Sequence, residues 1–128
     1  MGRPLEALTA VVVDLSEQHV YMYNQAWLVA ILPVSSGASG TPTGSFRVQG
    51  HTRVGTSGSD ARVHMDFFTT FNGNIGFHGI PWVSTRARRL PTPLGIRPVS
   101  HGCVRLYEEN VQELFELVQL GTPVTVLP

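Results

Sequence analysis

The sequence predicts a mainly β domain, a sandwich or barrel-like pair of sheets with one late helix, and three observations carry that expectation. Short apolar runs separated by turn residues occupy residues 8–78, the pattern of strands joined by tight connections. Only near the carboxyl end does the period change, where Val111, Leu114, Phe115 and Val118 fall at i, i+3, i+4 and i+7, one face of a helix. Finally, 128 residues with 42% apolar and 14% charged side chains can build one core but not two, and carry too little charge for a disordered chain or a long coiled coil. A single domain over residues 1–128 is therefore expected.

Taken in order, residues 8–15 are apolar and rich in β-branched side chains, and Ser16-Glu17-Gln18 is polar enough to turn. Residues 19–24 then alternate Val20 and Met22 against Tyr21 and Tyr23, so the first two strands read as a hairpin. After the polar break at Asn24-Gln25, residues 27–34 form a third strand, with Pro33 marking an edge or bulge. Residues 35–44 hold three Gly and one Pro among Ser and Thr, a loop with specific turn needs. Residues 46–54 return to strand, residues 55–61 form a second polar loop, and residues 63–71 make a further strand that ends at an Asn72-Gly73 turn before its short partner at 75–78. From 80 to 99, four prolines and four arginines occur with no sustained period, so a long irregular segment is expected. Residues 103–106 are a short strand. The helix is expected near 108–120, with Glu108 and Glu109 in the first turn, where the helix dipole favours carboxylates, and with Gly121 and Pro123 ending it. Residues 124–127 add a closing strand.

Nine Arg balance nine Asp plus Glu, with no Lys, so the formal charge is zero. A nucleic-acid partner is not expected from such a balance. No run approaches the ~20 apolar residues of a membrane span. The amino-terminal stretch does not read as a secretory signal, because the apolar run at 10–13 is only four residues long and meets Asp14. The single cysteine, Cys103, has no internal disulfide partner and excludes a zinc site of the two-plus-two cysteine type.

The most informative string is Ser100-His101-Gly102-Cys103-Val104-Arg105-Leu106, preceded by Phe77-His78-Gly79-Ile80-Pro81-Trp82. A thiol with an ordinary pKa of ~8.5 is only a few per cent ionised at neutral pH, so a cysteine nucleophile needs an imidazole beside it. His101 is two residues from Cys103 on an extended chain, side by side at roughly 6.6 Å, a poor geometry for proton transfer. His78, from another segment and followed by Gly79, is the better base, expected to keep the sulphur ionised. Gly102 can take positive φ and turn its amide, with that of Cys103, toward an oxyanion. Arg105 shares the face of Cys103, and two readings stand side by side: an anchor for a substrate carboxylate, or an ion pair with a helix carboxylate. His101 is read either as a catalytic support or as a packing residue that fixes the loop. A zinc site on His78, His101 and Cys103 is the rival from a different class.

These residues resemble the signature of the L,D-transpeptidase (YkuD-type) family, in which an upstream His-Gly pairs with a downstream Ser/Thr-His-Gly-Cys. The similarity runs over nearly the whole chain: Val13-Asp14-Leu15-Ser16-Glu17-Gln18 with Val20 and Tyr23, Pro33-Val34-Ser35-Ser36-Gly37, Thr41-Pro42-Thr43-Gly44-Ser45-Phe46, and Pro93-Leu94-Gly95. It implies a sandwich or barrel of mixed sheets. The implied activity is attack by Cys103 on the carbonyl of the third, L-centred residue of a peptidoglycan tetrapeptide stem, release of D-alanine, a thioester, and transfer to an acceptor amine. Carried over, His78 is the base, the Gly79 carbonyl orients its ring, and the Gly102 and Cys103 amides receive the oxyanion. Ser100 and His101 support the site and Arg105 anchors the donor. Neither a metal nor an organic cofactor is implied. Peptidoglycan stem peptides are the expected partners, carbapenem-type β-lactams the expected inhibitors, and the cell envelope the expected location. Hydrolysis by the same residues, an L,D-carboxypeptidase, and a silent wall-binding domain are the alternatives.

Three features depart from the family pattern or stand apart from the motif. Members often place a tyrosine in the strand before the His-Gly, whereas residues 63–71 carry Met65, Phe67, Phe68 and Phe71, leaving the oxyanion to backbone groups. Trp82 is read either as lining a donor groove or as packing the loop base. Arg86, Arg88 and Arg89 are read as a solvated loop cluster, with steering of an anionic polymer as the second reading.

Overall fold

The computed structural model describes residues 7–37, 40–57, 60–97, 100 and 102–128. Its first sheet is built by the predicted hairpin, β1 (Ala10–Asp14) with β2 (His19–Asn24), followed by β3 (Trp27–Pro33). Each of the first two strands buries alternate residues, Val11 and Val13 in β1 and Val20 and Met22 in β2, as expected of a sheet with one face on a core. The closing strand β11 (Pro123–Leu127) lies parallel to β1, with Val11 opposite Val124 and Val13 opposite Val126, and β4 (Gly44–Arg47) runs antiparallel beside it. The order is β3-β2-β1-β11-β4.

A second sheet is organised around the ten-residue β6 (Val63–Asn72), which pairs antiparallel with β5 (Gly50–Thr56), with β7 (Ile75–Gly79) and with β8 (Trp82–Val83). The β6–β7 turn consists of Gly73 and Asn74, one residue beyond the predicted Asn72-Gly73 pair; Gly73 takes φ 60°, which glycine tolerates without strain. At the sheet edge β10 (Val104–Leu106) runs parallel to β7. Both sheets are mixed, and neither closes into a barrel. Phe71 and Phe77 from the second sheet meet Val11, Val13, Val20 and Met22 from the first and Val111 and Leu114 of α1 (Glu108–Leu117) in one fully buried cluster.

Two expectations need correction. Residues 46–54 are not one strand, because the chain changes sheets at Val48 and Gln49: the Val48 amide donates to Thr122 O at 2.9 Å, and the next amide, of Gln49, donates to Thr70 O at 2.7 Å. Residues 80–99 are not irregular throughout, since β8 pairs with β9 (Thr85–Arg89) in a hairpin around Ser84, whose φ is 68°. The helix stops at Leu117, with the Val118 amide bonding back to Leu114 O. No helix among the described residues is long and apolar enough to cross a membrane.

Candidate active site

The parallel register of β7 and β10 sets Val104 opposite Phe77, Arg105 opposite His78 and Leu106 opposite Gly79. Strand side chains alternate between faces, so Phe77, Val104 and Leu106 enter the core while His78 and Arg105 share the other face. One step back along this register brings Cys103 beside Gly76, on the face of His78. The two predicted reactive residues are therefore diagonal neighbours on adjacent strands, a spacing of about 7–8 Å between backbones that long side chains bridge. Directly opposite His78 stands Arg105.

His78 is only 2% exposed, and the Phe68 ring meets its imidazole edge-on at 5.8 Å. Its Nδ1 lies 2.6 Å from Gly79 O. A carbonyl can only accept, so Nδ1 carries the proton and Nε2 keeps its lone pair. Burial, with the Arg105 charge nearby, depresses the imidazole to about 4 despite the opposing Gly79 bond. The ring is thus neutral at neutral pH. Above the ordinary value of 6.5 neither folded nor unfolded chain protonates this residue. As the pH falls toward 4 the unfolded chain takes the proton first, and the fold loses up to roughly 3 kcal/mol. Urea titrations of wild type and His78→Asn should show the wild-type advantage shrinking by that amount between neutral pH and pH 4. An advantage that stays constant would contradict a buried neutral imidazole.

Cys103 Sγ donates to Asn74 O at 3.4 Å and accepts from the Gly76 amide. Burial raises the thiol above its ordinary value, outweighing that amide and the Arg105 charge. No hydrogen bond joins the ring to the sulphur among the described residues. The expectation of a sulphur held ionised by the imidazole is thus not met at rest, because both groups are desolvated and both favour their neutral forms. Alkylation of Cys103 by iodoacetamide should keep accelerating as the pH passes 9; a rate plateau reached by pH 7 would mean a resting thiolate.

The loop before Cys103 is tied to an earlier segment of the chain. On the side of β10 away from β7, Ser35 N donates to Arg105 O at 3.0 Å and Arg105 N to Ser35 O at 2.8 Å. Gly37 forms a bridge with Ser100. The Thr41 hydroxyl donates to Gly102 O at 2.6 Å and accepts from the Gly37 amide at 2.6 Å. Buried Gln18 sits beneath this segment, its Nε2 on Ser36 Oγ at 2.9 Å and its Oε1 receiving the Ser36 amide at 3.0 Å. Gly102 has φ 155°, and a Cβ there would meet Ile75 Cδ1 at 3.2 Å. Ser100 is buried and works within the loop, its hydroxyl donating to Cys103 O and accepting from Gly102 N at 3.3 Å. The predicted His101 lies outside the described residues, and with it the rival zinc site.

Arg105 donates through Nη1 to Thr92 Oγ1 at 3.2 Å, and its buried Nε has no partner. No carboxylate pairs with it among the described residues, so the ion pair with the helix is not what the fold makes. That pair goes to Arg89 instead, whose Nη1 is 3.4 Å from Glu108 Oε1. Arg86 holds buried Asp66 with two bonds, of 3.0 and 2.9 Å. Arg86 and Arg88 are exposed, as the solvated reading expects, but they lie on strand β9 and not in a loop, and Arg86 and Arg89 are anchored by carboxylates. Trp82 packs the hairpin base, its ring tilted over His64 at 4.4 Å and covered by the Arg86 guanidinium at 4.8 Å. Sequence reasoning missed Gln18, Thr41 and Asp66, each of which acts on a residue 18 or more positions away.

A sequence profile of the YkuD family, described as the L,D-transpeptidase catalytic domain, matches residues 8–126. Several solved structures share the fold. An L,D-transpeptidase from Mycobacterium smegmatis is 22% identical, with a TM-score of 0.76 over 95% of this chain and 59% of that one. The L,D-transpeptidase LdtMt1, solved with imipenem, is 23% identical, with a TM-score of 0.79 and the same coverage, 95% and 59%. L,D-transpeptidase 3 from Mycobacterium tuberculosis, solved with a faropenem-derived adduct, is 22% identical, with a TM-score of 0.74 over 93% of this chain and 60% of that one. The chain spans about three-fifths of the length of these structures. No curated protein matches the sequence. By the profile match over residues 8–126, with the fold in agreement, the chain belongs to the YkuD family and carries its L,D-transpeptidase catalytic domain.

Proposed function

We propose that the chain is a single catalytic domain, a cysteine L,D-transpeptidase acting on peptidoglycan tetrapeptide stems in the cell envelope. The observation that carries this reading is the 2.6 Å bond from His78 Nδ1 to Gly79 O, which leaves Nε2 as a proton acceptor on the face shared with Cys103. The thiol leaves the Asn74 carbonyl by side-chain rotation and gives its proton to Nε2 as sulphur attacks the L-centred carbonyl. The oxyanion is received by the amides of Gly102 and Cys103; the 3.3 Å bond of the Gly102 amide to Ser100 Oγ is long, so that donor yields to the stronger acceptor. Collapse breaks the amide bond, the His78 imidazolium protonates the departing D-alanine amine, and a thioester remains. An acceptor amine then attacks, His78 removes its proton, and the second collapse returns the proton to sulphur. The unpartnered Nε of Arg105 supports a role for that guanidinium in holding a donor carboxylate, a charge-assisted bond. His101 and Ser100 brace the loop, and Trp82 supports the hairpin beside the site. Carbapenems acylate the same sulphur.

Incubation with a disaccharide tetrapeptide, read by mass spectrometry of products and protein, tests the proposal. Loss of D-alanine with formation of cross-linked dimers is expected for wild type and absent for Cys103→Ala. D-alanine loss without dimers would make the protein a carboxypeptidase. Neither turnover nor adduct would leave a silent wall-binding domain.

A further inference from the structure

The carbonyl that orients His78 belongs to a peptide whose two ends are held by charged side chains from elsewhere in the fold. Glu108, first residue of α1, sets Oε1 only 2.7 Å from the position a Cβ on Gly79 would occupy. Absence of a side chain at 79 is what lets this carboxyl lie against the strand. One residue on, Ile80 O accepts a 2.8 Å bond from Arg89 Nη1, the same nitrogen that lies 3.4 Å from Glu108 Oε1. Arg89 Nη2 is 3.8 Å from Asp66 Oδ2, and Asp66 is itself gripped by Nε and Nη2 of Arg86. Arg89 and Arg86 differ in kind. Arg86 is 53% exposed and contacts only side chains, the Asp66 carboxylate and the Trp82 ring, whereas Arg89 is 27% exposed and reaches the Ile80 carbonyl, two residues past His78. With Gly79 pressed by Glu108 and the following carbonyl tied to Arg89, the Gly79–Ile80 peptide has little freedom to rotate, and the carbonyl of Gly79 stays aimed at Nδ1.

We propose that Arg89, braced by Glu108 and Asp66, is a positioning residue that holds the Gly79 carbonyl in place and thereby fixes the His78 ring in its Nδ1–H tautomer. The role rests on the reading of His78 as the base, and its test separates the two. The readouts are the nitrogen-15 spectrum of the His78 ring at neutral pH and the saturating rate of acylation by imipenem. Wild type should show a single Nδ1–H tautomer. Arg89→Met should show a tautomer mixture and an acylation rate lower by about tenfold or more, at an unchanged half-saturating concentration. Arg89→Lys, which can still donate to Ile80 O, should recover most of both. Should Arg89→Met fail to fold, Glu108→Ala is read in the same way, since Glu108 is half-exposed at the helix start. A single Nδ1–H tautomer and an unchanged rate in the Met variant would overturn the positioning role. If instead His78→Asn acylates like wild type, the base assignment falls, while the tautomer spectrum of Arg89→Met still decides what Arg89 does.

Discussion

Replacing His78 by Asn is expected to slow acylation of Cys103 by about 10² to 10⁴-fold, the usual contribution of one positioned general base. The size of the effect follows from the resting state. A thiol raised by burial is almost wholly protonated at neutral pH, so the reaction depends on a base that accepts the proton as sulphur attacks. Were the sulphur a resting thiolate, the same substitution would cost far less. The pH profile separates these cases. With the imidazole depressed to about 4, acylation should persist well into the acid range and fall only as the pH passes through about 4. A fall centred near 6.5 would mean that the ring is solvated in solution, and a rate insensitive to the Asn substitution would remove His78 from the chemistry.

The second large effect is expected at a residue that touches no reacting atom. A Cβ placed on Gly37 would lie 2.5 Å from Gly102 Cα, 2.6 Å from Gly102 N and 2.8 Å from Thr41 Oγ1. Two of these three atoms are backbone, so Gly37→Ala cannot be absorbed by a side-chain rotation. Either the Ser35–Gly37 segment leaves β10 or the turn holding Gly102 moves outward. Overpacking of this kind costs about 1–3 kcal/mol in stability. Loss of one oxyanion donor costs about 10² to 10³-fold in rate. Stopped-flow acylation together with urea denaturation should therefore show a rate deficit far beyond what a folded, mildly destabilised protein would give. A variant as active as wild type would mean that the Gly102 amide is not used.

Local signals carried much of this. Apolar runs bounded by polar breaks located β1, β2, β3, β6 and β7, although one-sided alternating burial is clean only in β1 and β2, and the i, i+3, i+4 spacing of Val111, Leu114 and Phe115 located the helix. Where a residue's partner is distant in sequence, the signal disappears. Val48 and Gln49 look like any strand interior, yet their amides bond to Thr122 and Thr70, and that switch splits one apparent strand between two sheets. The β8–β9 hairpin lacks apolar alternation, since Asp66, twenty residues earlier in sequence than Arg86, helps to hold it. At the site, the Ser-His-Gly-Cys and His-Gly strings named the central groups from neighbouring residues alone. The Thr41 bridge and the Glu108–Arg89 contact were not legible, because a threonine in a loop and a glutamate in a first helical turn each have an ordinary local explanation. Burial was also invisible: the neutral resting states of His78 and Cys103 follow from desolvation, which depends on the whole fold.

The most direct measurement is the intact mass of wild type, Cys103→Ala and His78→Asn after brief exposure to imipenem at neutral pH, with peptide mapping of any adduct. One adduct on the peptide containing Cys103, absent from the alanine variant and formed at least a hundredfold more slowly in the asparagine variant, is the expected result, at the lower end of what a general base contributes. An adduct on another residue, or equal rates with Asn at position 78, would contradict a cysteine nucleophile served by that imidazole.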